Sequence, residues 1–293
     1  MPQAHVNGVT LEYDEQGHGE PMLLIMGLAT QMIAWPVDLV DELVSRGFRV
    51  IRFDNRDIGL SSKTSAPAPQ RGDVLMGLAS NRLAKSDYTL ADMGRDAVGL
   101  LDHLGIDAAH IVGVSMGGMI SQQLTIDHSE RVLSLTSIMS NTGDRRNGRP
   151  KTSFLPTLRK SMTGPFPTTR EEKIEAGVEA WRNISGPHFD EADIRSLIEA
   201  AIERDTDMIG RVRQLTAINA SPDRTAGLRQ VTVPTLVIHG LLDKLVAPSG
   251  GIATAMAVPG SRLLMFPDMG HDLPRPRRAE IAEAIAVNAH RTT

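Results

Sequence analysis

Apolar positions along this chain recur with three textures, and each predicts a different element. Residues 4–16 alternate apolar with polar, as in Val6, Val9, Leu11 and Tyr13, and Asn7-Gly8 lies between the two arms. That pattern predicts an edge hairpin. Residues 21–26 and 49–54 are short, nearly continuous apolar runs, the texture of strands covered on both faces, and residues 36–46 between them suit a helix. Strand, helix, strand in that order implies a parallel sheet. Thr89 reads as the N-cap of a helix running through Leu104 and ended by Gly105, and the apolar run 109–114 follows it.

Later strands are predicted over 132–140, 233–240 and 261–266. Between 141 and 231 no strand pattern occurs, and helix-like stretches appear instead at 152–162, 169–184, 190–204 and 206–219. The expected architecture is therefore α/β: a mostly parallel central sheet flanked by helices, with an inserted helical cap. The core domain comprises 1–140 and 232–293, and the cap comprises 141–231. Residues 66–87, rich in Pro, Ser and Gly, read as an irregular surface excursion.

Composition narrows the chemistry. The 293 residues, 41% hydrophobic and 23% charged, are those of an ordinary globular chain able to bury a sizeable core. A net charge of −4 with dispersed Lys and Arg gives no footprint for nucleic acid, and the basic stretch Arg145-Arg146-Asn147-Gly148-Arg149 reads as a solvated loop. No cysteine is present, which removes disulfides, thiolate metal sites and thiol catalysis together. No apolar run approaches the ~20 residues of a membrane helix and the N-terminus lacks a signal region, so a cytoplasmic location without membrane insertion is expected. Aromatics are 3% of the chain against 14 methionines, pointing to a pocket lined by adaptable aliphatic and thioether groups.

The chemistry centres on Gly113-Val114-Ser115-Met116-Gly117. A bare G-x-S-x-G recurs by chance in glycine-rich loops. Here an apolar strand precedes it and an apolar helical pattern follows, which is the context of a nucleophile elbow: the serine leaves the sheet on a tight turn that only small flanking residues permit. Such a serine needs a base, and the base needs a carboxylate. Among nine histidines only His239 and His271 follow late strands, and loops beyond the carboxyl ends of parallel strands converge on one crevice. Asp243, in the turn after the strand that ends at His239-Gly240, pairs naturally with His271. Asp144 is the substitute acid; Asp268 and Asp272 flank His271 too closely to orient its ring.

Ser115, Asp243 and His271 occur in the order nucleophile, acid, base, and with the cap they make the chain resemble the α/β-hydrolase fold family over nearly its whole length. Leu24-Ile25-Met26-Gly27, Asn55-Arg56-Asp57-Ile58-Gly59-Leu60-Ser61 and the elbow are similar to the branch containing aclacinomycin methylesterase. Two departures stand out: most members have His-Gly where this chain has Met26-Gly27, and many have glycine where it has Asp57. The resemblance implies an oxyanion hole made by the backbone N–H groups of Leu28 and Met116. Residues 54–62 read as a brace for these loops.

The expected activity is a cofactor-free and metal-free serine hydrolase acting on small-molecule carboxylic esters through an acyl-enzyme on Ser115. Lactonases and cofactor-free perhydrolases use the same triad, and a ligand-binding receptor that keeps the fold is a reading of another class. Trp181, Phe154, Phe166 and Phe189 fall in the cap, where packing of cap on core is the simpler role. Substrate identity and oligomeric state stay open.

Overall fold

The computed structural model describes residues 2–70, 72–73, 76–77, 80, 83–163, 167–207 and 209–291. Among them eight strands form one sheet: β1 (Gln3–Val6), β2 (Val9–Gln16), β3 (Glu20–Ile25), β4 (Phe48–Phe53), β5 (Ala109–Val114), β6 (Val132–Ile138), β7 (Thr235–Gly240) and β8 (Arg262–Phe266). Their spatial order is β1-β2-β4-β3-β5-β6-β7-β8. β1 and β2 pair antiparallel, as do β2 and β4, and every pairing from β4 through β8 is parallel. The β1–β2 hairpin turns on Asn7 (φ 45°) and Gly8 (φ 75°), the left-handed pair a two-residue turn requires.

The continuous apolar runs are explained by burial on two faces. In β3, Leu23 and Ile25 enter a core with Ile51, Phe53, Ile111 and Ile120, whereas Met22 and Leu24 enter an opposite core with Val50, Val112, Ile238 and Ile281. Helices α1 (Val37–Ser45), α2 (Leu90–His103) and α3 (Met116–Asp127) supply residues to these layers, α2 and α3 to the first core and α1 to the second. Thr89 caps α2 with a reciprocal capping box to Asp92.

Between β6 and β7 run α4 (Leu155–Thr163), α5 (Arg170–Ile184), α6 (Glu191–Arg204), α7 (Ile209–Ala220) and the short α8 (Thr225–Leu228), with no strand among the described residues of that segment. The first four match the helical stretches expected from sequence. Two further helices carry no prediction: α9 (Ser249–Ala257), and α10 (Arg278–Ala289), whose Ile281 and Ile285 join the second core. Part of the expected excursion at 66–87 lies outside the described residues; 66–70 form neither helix nor strand. No described helix is long and apolar enough to cross a membrane.

One feature of the topology places the site. β3 is flanked by β4 on one side and β5 on the other, so the loops leaving the carboxyl ends of β3 and β5 diverge and leave a crevice.

Candidate active site

Ser115 stands between the last residue of β5 and the first of α3, with φ 55° and ψ −118°. A non-glycine residue at positive φ carries a strain of order 1–3 kcal/mol and persists only where its surroundings fix it. Here they do. Ser115 N–H donates to Ile138 O at 2.9 Å, and Ser115 O accepts Met119 N–H at 3.2 Å. The flanking glycines are required by space: a Cβ at Gly113 would fall 2.2 Å from Gly117 O, and one at Gly117 would fall 2.0 Å from Ile25 O. The turn is thereby clamped between β3 and α3.

The loop after β8 brings His271 to this serine. Its Nε2 lies 2.9 Å from Ser115 Oγ and its Nδ1 lies 2.7 Å from Asp243 Oδ2. An ionised carboxylate only accepts, so Nδ1 carries the proton and Nε2 is left to accept from the serine hydroxyl. Asp243 is fully buried, and its other oxygen accepts Leu245 N–H and Val246 N–H at 2.9 Å each. Burial pushes this carboxyl up, but the charge of His271 and bonds from His239 and His271 outweigh it and hold the group down at about 2. The structure thus brings together all three residues selected from sequence.

His239, the competing base, does something else. Its Nε2 donates to Val246 O at 2.9 Å and stands 3.3 Å from Asp243 Oδ2, so it meets the carboxylate rather than the serine. Gly251 makes room for it, since a Cβ there would lie 2.5 Å from His239 Nδ1. Asp144 is paired with Arg146 at 2.9 Å and takes no part. Asp268 is held by Arg277 and by His188 Nε2 at 2.7 Å; Asp272 accepts Gly270 N–H at 2.8 Å and Gly186 N–H at 3.2 Å. Neither orients the ring of His271.

Gly27 approaches Ser115 closely enough that a Cβ on it would lie 3.3 Å from Ser115 Cβ and 3.8 Å from Oγ. The next N–H, that of Leu28, and the N–H of Met116 have no hydrogen-bond partner among the described residues. Two unpaired donors therefore flank the serine. The 54–62 loop braces the loop after β3: Asp54 accepts Met32 N–H at 2.7 Å, Leu60 N–H at 3.0 Å and Arg204 at 2.6 Å, while Asn55 donates to Met26 O at 3.0 Å. At the Asp57 departure the backbone takes φ 70°, and the side chain accepts Thr64 N–H at 2.6 Å. Arg204 and the buried Gln214, whose partners lie more than 140 positions away, gave no local signal in the sequence.

Of the aromatics between β6 and β7, Phe154 is buried, Trp181 and Phe189 are half-buried, and Phe166 lies outside the described residues. Among the described residues no group of three or more acidic or histidine side chains could hold a metal ion.

Residues 20–181 match the model of the alpha/beta hydrolase fold family. The chain belongs to that family. Rhodomycin D methylesterase DnrP of Streptomyces peucetius is 29% identical over 318 aligned positions, covering 100% of both chains. Rhodomycin D methylesterase DauP of Streptomyces sp. (strain C5) is 30% identical, covering 93% of this chain and 92% of that one. Among solved structures, the enol-lactonase from Burkholderia xenovorans LB400 superposes with a TM-score of 0.72 at 23% identity, over 99% of this chain and 100% of that one. This last likeness shows the fold.

Proposed function

We propose that this α/β hydrolase is a carboxylic ester hydrolase whose nucleophile is Ser115, with His271 as general base and Asp243 as the acid that orients it. The observation carrying this reading is the hydrogen-bonded relay from Ser115 Oγ through His271 to Asp243, at 2.9 and 2.7 Å, on a strained elbow. His271 Nε2 takes the hydroxyl proton as Oγ attacks the ester carbonyl carbon. The carbonyl oxygen, now an anion, receives the N–H groups of Leu28 and Met116. As the tetrahedral intermediate collapses, His271 passes its proton to the departing alkoxide, leaving an acyl-Ser115. Water, deprotonated by the same nitrogen, then releases the acid.

In this reading the core is 1–140 and 232–293, and the helices of 141–231 form a cap over the crevice. The full-length similarity to two rhodomycin D methylesterases supports methyl esters as the first substrates to assay. Turnover of such esters and of a p-nitrophenyl chain-length series is compared between wild type and Ser115→Ala, with intact-protein mass spectrometry for the acyl adduct. The expected loss is at least ~10³-fold, with an adduct on the wild type alone. Full turnover by Ser115→Ala would overturn the assignment.

A further inference from the structure

The loop that carries the Leu28 N–H is not held by the sheet alone. Ala29 sits at φ 58°, and its N–H donates to Oε1 of Gln214 at 2.9 Å. Gln214 belongs to α7, is fully buried, and donates its Nε2 to Arg56 O at 3.0 Å. These two partners fix which way the amide points, because a flipped amide would set N–H against N–H and oxygen against oxygen. One side chain therefore ties the β3 loop to the β4 loop from a helix more than 150 residues downstream of both. α6 adds two ties of its own: Gln31 Nε2 donates to Ala201 O at 2.8 Å, and Arg204 grips the same Asp54 that receives Met32 N–H.

The peptide that donates Leu28 N–H is followed directly by the residue Gln214 holds. Thr30 Oγ1 donates to Leu28 O at 3.0 Å, so the turn is closed on its far side. Without the Gln214 acceptor, Ala29 would keep a left-handed backbone with its N–H unpaired, and the turn could relax by rotating the neighbouring peptide. That rotation would swing Leu28 N–H away from the reacting oxygen.

We infer that Gln214 is a positioning residue for ester hydrolysis: from α7 it holds the Gly27–Ala29 turn so that Leu28 N–H meets the developing oxyanion. The inference rests on the Ser115 reading above. Gln214 is fully buried with both polar atoms taken by Ala29 and Arg56, so its effect reaches the reaction through Leu28 N–H, in the transition state where the oxyanion exists.

The test compares Gln214→Met, which keeps the length but neither bond, with Gln214→Glu, whose buried carboxyl, in its protonated form, keeps an acceptor facing Ala29 N–H and donates its O–H to Arg56 O. In Gln214→Met, kcat falls about tenfold to a hundredfold, less than deletion of an oxyanion donor, while KM moves less than about threefold. An alkylboronic acid, which forms a tetrahedral adduct on a reactive serine, loses affinity by the same factor as kcat/KM. Gln214→Glu recovers most of kcat. Unchanged kcat in Gln214→Met, a rise in KM alone, or equal impairment of both variants overturns the role. If Gln214→Met does not fold, the wild type decides: the Ala29 amide is protected in NMR hydrogen exchange, and exchange at an open-loop rate overturns the inference. Ser115→Ala is assayed alongside. A dead Ser115→Ala with a normal Gln214→Met removes only the positioning role, whereas an active Ser115→Ala removes the serine reading itself.

Discussion

Asp243 is the residue on which most of the site's electrostatics converge. Two backbone N–H groups saturate one oxygen, and two histidines address the other, His271 at 2.7 Å and His239 at 3.3 Å. Its pKa of about 2 lies below the value of ~3.9 expected in the unfolded chain. A depressed carboxyl stabilises the fold fully above the unfolded value, and that contribution drains as pH falls through the folded one. Asp243→Asn is therefore expected to cost about 2 kcal/mol at pH 7 in urea denaturation, with the deficit shrinking from pH 4 and closing near pH 2. In activity the same variant stabilises the wrong tautomer of His271, for a loss on the order of 10³–10⁴-fold in kcat. His239 separates the donor from the ring. His239→Gln can still offer an N–H to Val246 O from the corresponding position and should stay within ~10-fold of wild type, whereas His239→Leu leaves Val246 O unpaired beside the Asp243 carboxylate and should fall further. Equal kcat/KM in the two variants would mean that the His239 donor is immaterial.

At the scale of elements, two helical glycines separate construction from convenience. Gly117, in the first turn of α3, would place a Cβ 2.0 Å from Ile25 O and 2.8 Å from Met26 O, backbone atoms that cannot step aside without moving β3. Gly94, midway along α2, would meet Leu124 at an ordinary 3.6 Å. Gly117→Ala should destabilise by about 3 kcal/mol and abolish turnover, while Gly94→Ala should stabilise by about 0.5–1 kcal/mol through helix propensity and leave kinetics unchanged. Thermal melts and one ester assay check both. This contrast also explains what the sequence could disclose. Strands buried on both faces leave unbroken apolar runs, so β3, β4 and β5 were legible within one or two residues, and Ser115, Asp243 and His271 followed because each stands just beyond a strand's carboxyl end. α9 and α10 were not legible. Residues 249–257 carry Gly-Gly and no charge, and the buried stripe of α10 includes two alanines and an asparagine beside its two isoleucines, so neither shows the polar–apolar contrast on which periodicity depends. Gln214 was illegible for another reason: a polar residue in a helix says nothing of a partner 185 positions earlier.

At the scale of the whole molecule, Ser115 and its partners are supported differently. Ser115 is clamped by β3, β6 and α3, all parts of the sheet core. The β3 loop is instead held by α6 and α7, and the His271 loop by the end of α5. His271 N–H donates to Ile184 O at 2.8 Å, Gly186 N–H donates to Asp272 at 3.2 Å, and His188 pairs with Asp268 at 2.7 Å. Competence of the relay thus depends on how residues 184–188 seat against residues 268–272. Gly186 is one point of close approach: a Cβ there would lie 2.8 Å from Asp268 O and 2.9 Å from Gly270 N. Gly186→Ala must therefore push the two segments apart by a few tenths of an ångström or more without touching Ser115, Asp243 or the elbow. A displacement of ~1 Å at the base can cost about a hundredfold, so kcat/KM for p-nitrophenyl esters is expected to fall about tenfold to a hundredfold. The elbow and both cores keep their contacts, so the urea midpoint should move by no more than about 1 kcal/mol equivalent. A variant that turns over as fast as wild type would show that the His271 loop holds its place through β8 and Asp243 alone. One that loses stability in step with activity would show that residues 184–188 support the fold rather than the relay.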